Sequence, residues 1–415
     1  MTFSPYLATC VLLLAAACTT PNPNYRRPVD ASLPDGAVDA PPPCESSANC
    51  AAPAGVCDLS GGIGSGKCVQ CTTANPAACT GNTPRCGADN VCRGCTAHNE
   101  CASGVCLPSG ACSAESSVNE VAYVAPTGSG SACTKASPCA SITTALGTRR
   151  PYIKVTGTIQ ENVEVNGDTT TILADPGAKL VPKNNGVLLE VRGASNLAIY
   201  DLEIGGSTGS GISMSDGNTA TLSLHRVKIR KNNGPGINAS SGTLNISQSI
   251  LAENDGGGIN MNSATTFDIR NNFIVRNGTD SSLVGGVNAV PAAGSVFEFN
   301  TVVDNKASPL NADTSGVQCL GSMAAPSNLV FRNIRGALTE PQTKGACDFT
   351  GSFRGEPPAG AGFRKSDPND YHLTVNTAAD IRDKISNCNG NVKDIDGDAR
   401  PLNGGCDYGA DELQP

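Results

Sequence analysis

Between Ser195 and Asn305 short apolar runs alternate with polar residues, and the alternation returns four times. Leu197-x-Ile199, Leu222-x-Leu224, Leu244-x-Ile246 and Phe267-x-Ile269 open successive units, at spacings of 25, 22 and 23 residues. A glycine and an apolar residue follow each: Gly211-Ile212, Gly236-Ile237, Gly258-Ile259 and Gly286-Val287. An asparagine column accompanies them, at Asn232, Asn254, Asn277 and Asn305. A strand this short has one apolar face and two open edges, so no unit can fold alone. Stacked about 4.8 Å apart, the strands hydrogen-bond to those above and below, and their inward side chains fill one continuous core. The pattern therefore predicts an all-β fold, a parallel β-helix. Leu222 and Leu224 are expected to point inward, and Ser223 and His225 outward. The parity resets at Arg226, which marks a corner; Val227 and Ile229 are then inward, Lys228 and Arg230 outward. Glycine and asparagine suit such corners because they tolerate positive φ. The asparagine column predicts an amide ladder along one corner.

The flanking segments have other compositions. Val11–Ala17 is an apolar run ending in three alanines before Cys18, too short to span a bilayer. It resembles a bacterial lipobox, which makes residues 1–18 a lipoprotein-type signal and Cys18 the lipidated residue. Thr19 in the next position fits retention at the outer membrane. Residues 19–43 hold seven prolines and few apolar side chains, and are expected to be a disordered tether. Residues 44–115 hold twelve cysteines in three four-Cys units: Cys44, Cys50, Cys57, Cys68; Cys71, Cys79, Cys86, Cys92; and Cys95, Cys101, Cys106, Cys112. No unit has the residues for an apolar core, so cross-links replace it. Cys68-x2-Cys71 and Cys92-x2-Cys95 nearly match a zinc ribbon. Export and the even, repeated count favour two disulfides inside each unit, in a disulfide-rich stalk. Of 415 residues 20 are Cys, 47 are Gly and none is Trp, with a net charge of −8. That balance supplies no basic stripe for nucleic acid.

Residues 116–415 begin with Val121–Val124, a Cys133–Cys139 loop, the short helical stretch Ser141–Leu146 and Gly157-Thr158-Ile159-Gln160-Glu161-Asn162. They end with Asp394-Ile395-Asp396-Gly397-Asp398-Ala399-Arg400-Pro401 and Asp407-Tyr408-Gly409-Ala410-Asp411-Glu412. The first order resembles the N-terminal cap of bacterial right-handed parallel β-helix proteins of the pectate-lyase-like superfamily. The second resembles the C-terminal region of the same proteins known as choice-of-anchor Q. The resemblance implies a right-handed coil across residues 116–415, placed at a bacterial cell envelope, on the outer membrane or at the cell surface. Cys133–Cys139, Cys319–Cys347 and Cys388–Cys406 are expected as three further local disulfides.

Three outward files are candidates for chemistry: Lys231–Glu253–Arg276–Asp304, Ser223–Asn245–Asp268 and His225–Ser247–Arg270. The first alternates in sign and reads as a surface charge ladder, worth about 1 kcal/mol per pair at most. Polysaccharide lyases of this fold use a basic proton acceptor and carboxylates that hold calcium, and Arg270, Arg276, Asp268 and Asp304 are the candidates for such roles. No lyase motif is present, and fold alone supplies no activity. Asp394, Asp396 and Asp398 alternate like calcium ligands, but residue 405 is Gly where an EF-hand needs Glu. A structural turn in which Arg400 pairs with Asp407, Asp411 or Glu412 is the favoured reading. His98, His225 and His372 are dispersed, with no Ser/His/Asp grouping in sequence. The expected partners are a membrane, through the lipid, and an extracellular polysaccharide. Binding or scaffolding without turnover is favoured over a polysaccharide lyase or glycoside hydrolase, because the files lack the crowded ionisable groups that catalysis needs.

Overall fold

The computed structural model describes residues 43–61, 66–114, 119–215, 219–310, 312–336, 341–354, 362–364, 368–402 and 404–414. The expected signal, with Cys18, and all but the last residue of the tether lie outside them. Three parallel sheets of eight, nine and eight strands wind through about eight turns. In one turn Thr221–His225 belongs to the first sheet, Lys228–Arg230 to the second and Ile237–Ala239 to the third. Leu222 stacks on Leu244 and Phe267, and Leu224 on Ile246 and Ile269, all at most 2% exposed. In first-sheet strands such as Thr221–His225 and Thr243–Ser247 burial alternates, because the neighbours above and below satisfy the backbone and leave side-chain parity to choose core or solvent.

The corners differ from the expectation. Gly and Asn do not dominate them. Between the first and second sheets the left-handed position falls to Asp201, Arg226, Gln248 and Asn271, with φ from 52° to 63°. At the far end of the second sheet Lys231, Glu253, Arg276 and Asp304 hold it, with φ from 55° to 59°. A side chain there costs about 1–2 kcal/mol. At the far corner each of these residues is followed by a buried asparagine. Asn232, Asn254, Asn277, Asn305 and Asn333 form a continuous ladder, each Nδ2 donating to the next Oδ1 at 2.8–3.0 Å. A second ladder, Asn272–Asn300–Asn328, follows the other corner with Nδ2 to Oδ1 distances of 3.0 and 3.1 Å.

The helix Ile142–Leu146 closes the first turn. Glu161 caps it, accepting from the amides of Ile142 at 2.7 Å and Thr143 at 3.1 Å. The adjacent Asn162 accepts from the amides of Lys183 and Asn184 and so pins the next loop.

Each Cys unit joins its first cysteine to its third and its second to its fourth: 44–57 and 50–68, 71–86 and 79–92, 95–106 and 101–112. The third unit is not a free stalk. Val105, fully buried, packs with Val121 and Leu173 of the first sheet, beside Tyr123, Tyr152 and Tyr200. Tyr123 Oη donates to Ser103 O at 3.2 Å, and Lys135 Nζ to Ala102 O at 2.6 Å. Cys133–Cys139, Cys319–Cys347 and Cys388–Cys406 are bonded.

The C-terminal segment also departs from a simple coil. The last paired strand is Phe353–Arg354, and residues 362–364, 368–402 and 404–414 lie back along the second sheet. There the outward residues Phe273, Val275, Val303, Leu329 and Phe331 are fully buried against Phe363, Tyr371, Leu373, Ile381 and Ile395.

Candidate functional site

The third Cys unit covers one end of the first sheet, and the C-terminal segment lies against the corner beside it. Between them is a cavity of about 1100 Å³. Its floor is the outward face of three strands, Asn196–Tyr200, Thr221–His225 and Thr243–Ser247. Parallel pairing aligns Tyr200, His225 and Ser247 in one file, and Ser223 and Asn245 in the next. His98, Leu107 and Pro108 of the third Cys unit form one wall, and Lys393 stands on the opposite side.

The floor is hydrogen-bonded within itself. His225 Nδ1 lies 2.7 Å from Ser247 Oγ, and Asn245 Nδ2 donates to Ser223 Oγ at 3.1 Å. The His225 ring meets Tyr200 edge-on at 5.3 Å. Burial, with help from Arg226 and Lys393, holds the His225 pKa down at about 4, so the ring is neutral at neutral pH. Arg226 is tied to Asp201 by two bonds of 2.6 and 2.8 Å. At the far end Lys154, 3% exposed, sits 2.5 Å from Asp175, and burial lowers its pKa.

The residues singled out from sequence do not meet in one place. Asp268 and Arg270 extend the two floor files by one strand and pair with each other at 2.6 Å, with Glu298 at 3.8 Å from Arg270. Arg276 and Asp304 lie on the corner between the second and third sheets. There Lys231–Glu253 at 4.0 Å, Glu253–Arg276 at 3.6 Å and Asp304–Arg332 at 2.6 Å form the charge ladder. These four residues therefore lie as two separate pairs on two different faces. In the Asp394–Asp398 run the three carboxylates go separate ways. Asp394 is buried and accepts from the amides of Asp396, Asp398 and Glu412, Asp396 turns to His372, and Asp398 is exposed. Arg400 Nη2 donates to Gly409 O at 3.0 Å, and its Nε stands 3.9 Å from Glu412.

Sequence reading missed two clusters. His225–Ser247 is visible only once the register is known, since the two are 22 residues apart. The other is His372, with Nδ1 2.6 Å from Asp370 and Nε2 3.0 Å from Asp396, and its ring edge-on to Phe273. These carboxylates and nearby Asp411 raise the His372 pKa to about 9 against the cost of its burial. Burial raises Asp411 to about 7.

Against known proteins, residues 210–335 match the family model described as a right-handed β-helix region. The crystal structure of pectate lyase Pel9A is similar at 14% identity and a TM-score of 0.38, over 71% of this chain and 96% of that one. No curated protein matches the sequence.

Proposed function

We propose that the cavity on the first sheet binds a stretch of an extended extracellular polysaccharide without turning it over. The observation that carries this reading is the floor: neutral hydrogen-bonding side chains repeat there at the strand spacing of about 4.8 Å, as Ser223–Asn245 and His225–Ser247. A flexible chain of hydroxyls is well matched by such a row, and the Tyr200 and His225 rings offer an apolar surface at one end. Chemistry is poorly served. A base whose conjugate acid has a pKa of about 4 takes a proton weakly at neutral pH, and Ser247 already occupies His225 Nδ1. The same 2.7 Å contact is what favours a second reading, a lyase or hydrolase built on Ser247 and His225.

Affinity electrophoresis in polygalacturonate and in an uncharged galactan separates the two. Retardation by either polymer that falls on Asn245→Ala, without product release, is the expected result. Unsaturated uronate or new reducing ends that vanish on Ser247→Ala, or on Arg270→Ala, would sink the binding reading. The chain is further proposed to be an envelope lipoprotein, on the alanines before Cys18 and the cysteine-rich composition. Cys18→Ser should release it from the membrane fraction, and unchanged fractionation would remove the anchor.

A further inference from the structure

We propose that the C-terminal segment is a latched strap whose seating sets the affinity of the cavity, so that strap and ligand stabilise each other. The proposal rests on the cavity being the binding site. Its geometric basis is one short connection. Ser247 belongs to the cavity floor, and the next residue, Gln248, donates from Nε2 to the carbonyl of Asp394 at 2.5 Å. Lys393, beside Asp394, lines the cavity. The turn that follows is held by the Asp394 carboxylate, which accepts from the amides of Asp396 and Asp398 at 3.0 and 2.8 Å. Lys393 and Asp396 therefore ride on the same turn. Asp396 is one of the two carboxylates that pair with His372, at 3.0 Å, beside Asp370 at 2.6 Å.

Among the described residues the strap forms no helix or strand after Phe353–Arg354. Buried carboxylates supplement scattered backbone bonds such as those between Ile385 and Cys406. Asp407 accepts from Asp383 N and Leu413 N, Glu412 from Leu402 N and Asp407 N, and Asp411 from Leu373 N. Segments held this way open at lower free energy than the stacked strands beneath them. The ties to the solenoid include Tyr371 Oη to Asp304 at 2.5 Å, Ala410 N to Thr301 Oγ1 at 3.0 Å, Gly409 N to Ser327 O at 3.0 Å, Asn391 Nδ2 to Glu298 at 3.4 Å, the Gln248 bond and the apolar underside.

His372 is the latch. Asp370, Asp396 and Asp411 face it from the strap, and the Phe273 ring meets it edge-on from the solenoid strand beneath. Arg364 stands 3.8 Å from Asp370, and Asp304 with Arg332 lies beyond Tyr371. As a cation, His372 joins three carboxylates; as a neutral ring it leaves them repelling one another. Its folded pKa of about 9 lies above the free value of 6.5, so its stabilisation is complete below 6.5 and is lost as pH rises through 9. Asp411 acts in the same direction. Its raised pKa favours the folded state while it is protonated, and that advantage fades from 3.8 up to about 7. Alkali therefore unlatches the strap and carries Lys393 away from the cavity. Because linkage is reciprocal, an occupied cavity must also hold the strap down.

Amide hydrogen exchange on the full, disulfide-bonded chain tests this, with polygalacturonate as the probe. After correction for base catalysis, strap amides should exchange about tenfold faster at pH ~10 than at pH ~6, with solenoid strands unchanged. His372→Gln should abolish that step, and saturating polygalacturonate should slow the strap. Lys393→Gln, an exposed change that leaves the latch intact, should weaken polygalacturonate binding several-fold with strap protection unaltered. A strap that exchanges in step with the solenoid at every pH overturns the latch. Bound polygalacturonate that leaves strap exchange unchanged overturns the coupling. If the polymer fails to bind the wild type, the cavity reading and the coupling fall together, while the strap's own pH step still judges the latch.

Discussion

Asn277 shows how much one residue can carry in a stacked fold. Its Oδ1 accepts from the backbone and the side-chain nitrogens of Asn254, while its Nδ2 donates to Leu251 O at 2.9 Å and to Asn305 Oδ1 at 3.0 Å. Truncation takes a partner from groups of both neighbouring turns in a dry interior. Each orphaned group costs about 1–3 kcal/mol, so Asn277→Ala is expected to lose roughly 2–4 kcal/mol in a denaturant titration. Asn288→Ala, on the half-buried outward face of the third sheet, should lose less than about 1 kcal/mol. Equal losses would mean that the ladder contributes no more than a surface amide. This ladder was legible because its asparagines recur beside a Gly-apolar pair. The second was not, since Asn272, Asn300 and Asn328 follow residues as unlike as Asn271, Phe299 and Ser327. Backbone conformation unites those three, all at positive φ, and composition carries no trace of it. His372 was equally hidden, because Asp370 lies two residues away but Asp396 and Asp411 only meet it through the strap's fold.

At the scale of the strand, the second sheet changes character along its length. Its early strands read Glu203-Ile204-Gly205 and Lys228-Ile229-Arg230, with one buried residue between two that reach solvent. Later strands read Phe273-Ile274-Val275 and Leu329-Val330-Phe331, buried at all three positions. A continuous apolar run means that both faces are covered, so the extent of the covered surface was present in the sequence. What covers it was not, because the strap is fixed by carboxylates and aromatic contacts without a period. Phe331 stacks on Phe363 at 5.7 Å, and Arg332 stands over both rings. Phe331→Ala should cost about 3–5 kcal/mol, as for a buried ring, with the loss confined to the strap. Limited proteolysis reads this as early cutting within residues 368–402 of a chain whose solenoid remains intact. Cutting that begins instead within the coils would assign Phe331 to the solenoid's own stability.

For the whole molecule, the cysteine-rich units invite division of the chain into a stalk and a working domain, and the third unit resists it. Its buried Val105 covers Val121 and Leu173, its backbone carbonyls at Ala102 and Ser103 are held from the solenoid, and its His98, Leu107 and Pro108 wall the cavity. The second unit meets the third through the weaker Arg85–Glu100 contact of 3.8 Å. Two truncations weigh these roles. A chain beginning at Cys95 keeps both disulfides of the third unit and every cavity residue, so its binding to the polymer retained in gels should equal that of the parent. A chain beginning at residue 116 loses one wall and uncovers Tyr123, Tyr152, Leu173 and Tyr200. Uncovering that much apolar surface costs stability at about 25 cal/mol per Å² and leaves the ligand open to water on one side. That chain should bind the polymer at least about tenfold more weakly, a loss of roughly 1.4 kcal/mol. It should also bind an apolar dye that the longer one excludes. Undiminished affinity in a folded chain from residue 116 would return the third unit to the stalk and confine the site to the sheet alone.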